Sequence, residues 1–129
     1  YNIQSQGVEL PTSLVKSELK RIRKIGQQIL KNPAKQYNLE DLSVESGLSQ
    51  AKLQDGFKFL YTRTVTEFIR HVRLELARDL LKTSDLNISQ VVYTIGFTSR
   101  SYFSKIFKEK FNVSPNEFKA QIPKKVTVS

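Results

Sequence analysis

The stretch TSRSYFSKIFKEKFNVSPNEF, from Thr98 to Phe118, decides how the rest of this chain is read. Its apolar residues Phe103, Ile106, Phe107 and Phe111 recur at i, i+3, i+4 and i+8, the spacing of a helix with one buried stripe. At about 100° per residue, Ser101, Ser104, Lys105 and Lys108 gather on the opposite face, with Arg100 near the helix start. Glu109 lies to one side, so that face carries hydroxyls and cations and no carboxylate. Such a face suits a DNA major groove, where Arg, Lys and hydroxyls meet base edges and phosphates. A solvated amphipathic helix would show the same pattern, so the surrounding chain must discriminate.

Just upstream, Asn87 is placed to cap a short helix that includes Ile88 and Val91 and runs into Gly96-Phe97. Just downstream, Phe111 is followed by Asn112, which tolerates left-handed backbone, and by Ser114-Pro115, a cap with Pro at the first helical position. The last helix holds Glu117 and Phe118. Residues from Pro123 onward are expected to fray.

Further back, TVTEFIRHVRLELARDLL from Thr64 to Leu81 predicts a longer helix with Phe68, Ile69, Val72, Leu76 and Leu80 buried. Its polar side alternates in sign through Glu67, Arg70, Arg73, Glu75, Arg78 and Asp79. Before it, Asn38 caps a short helix with Leu39, Leu42 and Val44 on its apolar side and Asp41 in a capping-box-like place. Gly47 breaks that helix where positive φ is easily reached. Ser49 caps the next, whose inner residues are Leu53, Phe57, and Leu60 or Tyr61. Two short helices joined by a tight Gly turn form a helix-turn-helix pattern.

The first helix is capped at Thr12 or Ser13, buries Val15, Leu19, Ile22, Ile25 and Ile29, and ends at Lys31-Asn32-Pro33. Its outer face is basic, with Lys16, Lys20, Arg21, Arg23 and Lys24. Gly26 inside it costs about 1 kcal/mol relative to Ala, which points to close packing there. Residues 1–11, with Gly7 and Pro11, show no period and read as a linker or arm from an upstream domain.

The two halves repeat. Leu39, Leu42, Gly47 and Leu48 precede Ile88, Val91, Gly96 and Phe97 by 49 residues. After one inserted residue the offset becomes 50, matching Leu53 to Phe103, Phe57 to Phe107, Lys58 to Lys108, Thr64 to Ser114, Glu67 to Glu117 and Phe68 to Phe118. A repeat of this period marks two copies of one supersecondary unit. Symmetric dimers place two such units about 34 Å apart, one DNA turn. Here one chain carries both, joined by a helix of about 18 residues, or about 27 Å. Two successive major grooves then come within reach, at an asymmetric site because the two outward faces differ.

Residues from about Leu14 to Lys119 resemble the DNA-binding domain of the AraC/XylS family of bacterial transcription regulators. The resemblance is carried by IGFTSRSYFSKIFKEKFNVSPNEFK, with its Gly-Phe turn, Ser-Tyr-Phe, Phe-Lys, then Ser-Pro and an aromatic. It implies an all-α fold of about seven helices, two helix-turn-helix units on a rigid connecting helix. The corresponding division is an AraC-type domain over 12–122, with a first unit at about 38–61, a connecting helix at about 64–82, a second unit at about 87–111, a final helix at about 115–121 and a flexible tail at 123–129. The implied role is transcriptional regulation, usually activation, in the bacterial cytoplasm at the nucleoid. The implied partners are double-stranded DNA, RNA polymerase and an N-terminal effector or dimerisation domain absent from this chain. Three positions depart from the pattern: Thr62 and Asn112 stand where the family often has Gly, and Gly56 stands where the second copy has Ile106, which leaves the first reading helix thinner on its inner face and less helix-prone.

On the second reading helix, Arg100, Ser101, Ser104 and Lys105 are placed for bases and Lys108 for phosphate. On the first, the outward face is Gln50, Ala51, Gln54 and Asp55 for bases, Gln54 matching adenine and Ala51 a thymine methyl, with Lys52 and Lys58 for phosphate. Helix starts at Asn38 and Asn87 can offer backbone N–H groups to phosphates. Phe103 and Phe107 are core, Tyr102 either packs or touches the groove, and His71 is a surface residue.

The bulk composition agrees. With 129 residues, 39% hydrophobic and 26% charged, the chain is one ordinary domain in size. Lys and Arg number 21 against 12 Asp and Glu, a formal +9 that attracts polyanions. Absence of Cys excludes disulfides, thiol nucleophiles and Cys-ligated metals, and a single His without a carboxylate cluster is no metal site. No phosphate-binding Gly loop is present, so no enzyme and no cofactor is expected. Apolar runs are too short for a membrane span. A helical interaction module binding an acidic protein remains the alternative reading.

Overall fold

The computed structural model describes residues 14–123, and among them there are seven helices and no strand. They are α1 (Lys16–Lys31), α2 (Leu39–Ser46), α3 (Gln50–Tyr61), α4 (Val65–Thr83), α5 (Ile88–Thr94), α6 (Arg100–Phe111) and α7 (Pro115–Gln121). The chain divides into two compact units, one up to Val72 and one from Arg73, so α4 begins in the first and ends in the second. The arm expected at 1–11, the cap at Thr12 or Ser13 and all but the first residue of the tail at 123–129 lie outside the described residues.

In the first unit, α1 starts at Lys16, with Val15 in the cap position and its N–H donated to Glu18 Oε1 at 3.1 Å. Val15 does not join the buried stripe; it is 56% exposed, because the helix begins after it. Leu19, Ile22, Ile25 and Ile29 do bury, against Leu42 of α2 and Leu53, Phe57, Leu60 and Tyr61 of α3. Both glycines in helices serve close approach. A Cβ on Gly26 would lie 2.3 Å from the Tyr61 hydroxyl, and one on Gly56 would lie 2.2 Å from Ile22 Cδ1. Gly56 therefore does not leave α3 thin on its inner face, since Ile22 of α1 fills the space. Val44 was expected inside but is 80% exposed. An eight-residue helix presents so few turns that Leu42 supplies its buried anchor, with Leu39 packed beside the core.

The second unit buries Leu74, Ala77 and Leu81 of α4, Ile88, Val91 and Val92 of α5, and Phe103, Ile106 and Phe107 of α6. Phe97, Phe111 and Phe118 pack on this core, and Phe107 meets Phe111 and Phe118 with ring centroids 4.6 and 5.8 Å away. Each such aromatic pair contributes about 0.5–1.5 kcal/mol beyond its area burial. The single stripe expected along α4 is corrected here. Val65, Phe68 and Val72 bury in the first unit, but Leu74, Ala77 and Leu81 take over in the second, while Leu76 and Leu80 stay half-buried. One helix serving two cores does not keep one face. Arg73, expected on the polar side, is 8% exposed, with its guanidinium 5.4 Å from the Phe97 ring centroid. Stacking on an aromatic face lets Arg enter a core that would exclude an ammonium.

Candidate nucleic-acid interface

Each unit presents a short helix, a tight turn and a second helix whose inner side is apolar. In the first, Asn38 Oδ1 accepts from Asp41 N at 2.8 Å to open α2, and Gly47 closes it at φ 71°. Arg21 Nη1 donates to Ser46 O at 2.9 Å and Ser43 Oγ donates to Leu48 O, so side chains tie this turn. Ser49 Oγ then accepts from Lys52 N to start α3. In the second unit, Asn87 and Gln90 form a reciprocal capping box at 2.8 Å in both directions. Gly96 turns at φ 91°, and Ser99 Oγ accepts from Tyr102 N to start α6.

The buried side of α6 is Phe103, Ile106 and Phe107, and this fixes which side faces out. Arg100, Ser101, Lys105 and Lys108 are exposed and Ser104 is half-buried. The expected cationic, hydroxyl-bearing face is thus assembled on one side of a well-anchored helix. Arg100 Nη1 donates to Ser89 Oγ of α5 at 2.9 Å, which steadies the guanidinium at the junction of the two helices. Tyr102 is exposed and packs edge-on against Phe97, with centroids 6.1 Å apart, the packing role of the two expected of it. Tyr93 of α5 was not singled out by its sequence. It is 84% exposed and shares with Arg100, Ser89 and Thr98 a depression beside the start of α6. Its place just after the buried Val91-Val92 pair was the available signal.

On α3 the set divides. Gln50, Ala51, Asp55 and Lys58 are exposed. Lys52 is half-buried and pairs with Glu18 Oε2 of α1 at 2.7 Å, a tie that joins α1 to the start of α3. That hydrogen bond, with the one from Val15 N, holds the Glu18 carboxyl below its ordinary pKa. Gln54 is also half-buried, and its Oε1 accepts from Val65 N at 2.9 Å. The side chains of Asn38 and Asn87 are exposed but engaged in their own helix caps, and the Asn87 N–H is taken by Gln90 Oε1. His71 is half-buried rather than a surface residue. No group of three or more His, Asp or Glu side chains comes together among the described residues. No helix among them is long and apolar enough to cross a membrane.

Residues 42–121 match the model of a family described as a helix-turn-helix domain. Over 107 residues the chain is 37% identical to Histidine kinase P4 of Formosa agariphila, covering 83% of this chain and 8% of that protein's length. Among solved structures, it resembles a transcriptional regulator of Chromobacterium violaceum described by its AraC-type DNA-binding domain. The identity is 25% and the TM-score 0.70, over 82% of this chain and 92% of that one. It also shares the fold of the DNA-binding domain of AdpA, solved in complex with a target DNA. There the TM-score is 0.74 at 22% identity, over 78% and 90% of the two chains.

Proposed function

The chain belongs to the AraC/XylS family of helix-turn-helix regulators, and from that premise we propose that it binds double-stranded DNA sequence-specifically and regulates transcription, most naturally by activation. The observation that carries this reading is the outward face of α6, where Arg100, Ser101, Lys105 and Lys108 stand exposed opposite a fully apolar inner side. Arg100, Ser101, Ser104 and Lys105 read bases from that helix, and Lys108 holds phosphate. On α3, Gln50, Ala51 and Asp55 face the bases and Lys58 the backbone. The two reading helices occupy successive major grooves, so the operator holds two unlike half-sites. Binding rather than catalysis is the role of this chain, without a cofactor.

The same premise supports RNA polymerase as a partner, an N-terminal effector or dimerisation domain in the whole protein, and residence in the bacterial cytoplasm at the nucleoid. Selection of bound duplexes from a random pool tests the reading directly. Two short, unlike motifs about one helical turn apart are expected. In the same assay Lys108→Ala should weaken all sequences alike and reduce the log–log salt slope by about 0.9. Failure of the protein to bind any duplex at low salt would replace this reading with an acidic protein partner.

A further inference from the structure

Gln54 sits on α3 among residues that face outward, yet it is half-buried while Ala51, Asp55 and Lys58 are exposed. Its Oε1 accepts the backbone N–H of Val65 at 2.9 Å. Of the two polar atoms of the Gln54 amide only the oxygen can accept from an N–H, so the chemistry fixes which way this amide is turned. Val65 is the first residue of α4, and its N–H is one of the four that a helix start leaves without an internal partner. The next donors are met locally. Glu67 N reaches Thr64 Oγ1 at 3.2 Å and Phe68 N reaches Thr64 O at 2.9 Å. Val65 itself is 1% exposed, so water has poor access to its surroundings and Gln54 supplies the acceptor.

The second unit shows why this bond has no counterpart there among the described residues. At an offset of 50, Gln54 corresponds to Ser104 and Val65 to Pro115. Proline carries no N–H, so α7 starts without needing an acceptor from α6. Ser104 accordingly makes no side-chain bond to that helix among the described residues.

We propose that Gln54 is a positioning residue, a strut that fixes the first reading helix on the start of α4. Resting on the DNA-binding reading above, it contributes no adenine preference. The bidentate pairing of Gln with adenine needs the oxygen and the NH2 group turned together toward the base. Here the oxygen is turned to Val65, leaving the NH2 group alone for the groove or a phosphate. Gln54 thereby sets where Gln50, Ala51 and Asp55 sit rather than reading a base pair with them.

The test compares Gln54→Ala with Gln54→Glu in the full chain. Glutamate retains an acceptor for Val65 N–H and lacks the amide donors; alanine lacks both. Hydrogen exchange at the Val65 amide should speed up about two- to tenfold in Gln54→Ala, the range expected for one hydrogen bond, and should stay protected in Gln54→Glu. In selection from a random pool, both variants should return the wild-type base preferences, with Gln54→Ala weaker on all sequences alike. Unchanged Val65 exchange in Gln54→Ala, together with loss of an adenine from the selected motif, would overturn the strut. The exchange arm needs no DNA. If wild-type protein bound no duplex, the functional reading would fall while Val65 exchange still judged the role of Gln54.

Discussion

The two helix-turn-helix units place different residues at corresponding points of their reading helices, Gly56 in the first and Ile106 in the second. In the first, α3 carries Gly56 and α1 fills the gap with Ile22, whose Cδ1 lies 2.2 Å from where a Cβ would stand. In the second, α6 carries Ile106 at the corresponding place, buried in the same core as Ala77 of α4. The buried spacing Leu19, Ile22, Gly26 in α1 recurs as Leu74, Ala77, Leu81 in α4. In a close-packed interior a glycine and the side chain that fills its place must change together. The difference teaches that Gly56, read from sequence as a weakness of the first reading helix, is one half of a fitted pair.

The largest expected effect comes from breaking that pair. Gly56→Ile should cost about 3 kcal/mol or more by overpacking against Ile22. Ile22→Ala alone should cost about 2–5 kcal/mol through loss of burial and the cavity left behind. The double variant should be more stable than the sum predicts by about 1–3 kcal/mol in urea unfolding. Strict additivity would mean the two residues do not form a compensating pair.

The reading faces differ as much as the cores. Arg100→Ala should lose about 1–3 kcal/mol on the preferred operator and relax one base position, with Gln50→Ala at the matching place in α3 losing less. Competition titrations against single-base operator variants distinguish this from loss of general attraction. Equal weakening on every duplex by Arg100→Ala would remove it from the base-reading set.

Both reading helices end in left-handed backbone, Thr62 at φ 59° and Asn112 at φ 66°. Left-handed conformation costs most residues about 1–2 kcal/mol, and Asn tolerates it better than a β-branched side chain. Thr62→Gly should therefore stabilise by about 1 kcal/mol or less after the entropic cost of glycine, and Asn112→Gly by a few tenths. A larger gain at Asn112 than at Thr62 in parallel unfolding curves would reverse the comparison.

The smallest effect concerns the helices that follow. Glu67 accepts from Thr64 N at 2.8 Å and Glu117 from Ser114 N at 3.1 Å, and both carboxyls are held below their ordinary pKa. For Glu67 the bond from the Thr64 backbone leads, and for Glu117 the bonds from Ser114. A carboxyl with a lowered folded pKa adds stability above its unfolded value and loses it as pH falls through the folded one. Both caps should thus weaken below the ordinary value of 4.5. Glu67→Gln and Glu117→Gln should each flatten the acid limb of a stability–pH curve by a similar, small amount.

The legible features were those set by neighbours in the chain. Asn38, Ser49, Asn87 and Ser114 cap helices because a short polar side chain reaches an N–H three residues on. Gly47 takes positive φ because it has no Cβ, and α7 begins at Pro115, whose missing N–H is no loss at a helix start. The face of α6 was legible for the same reason, since three buried residues at helical spacing leave only one outward side.

Chain order and side-chain chemistry by themselves determined seven helices, their caps, the duplication and the cationic character of the second reading helix. Tertiary structure alone decided that Val15 and Val44 stay exposed, that Arg73 is buried on Phe97, and that α4 changes its buried set midway. It alone turned Gln54 toward Val65 and Lys52 toward Glu18. Local spacing reports which side of a helix can be buried. Which residues then meet across helices depends on close packing between segments far apart in sequence, and no periodicity within one segment encodes its partner.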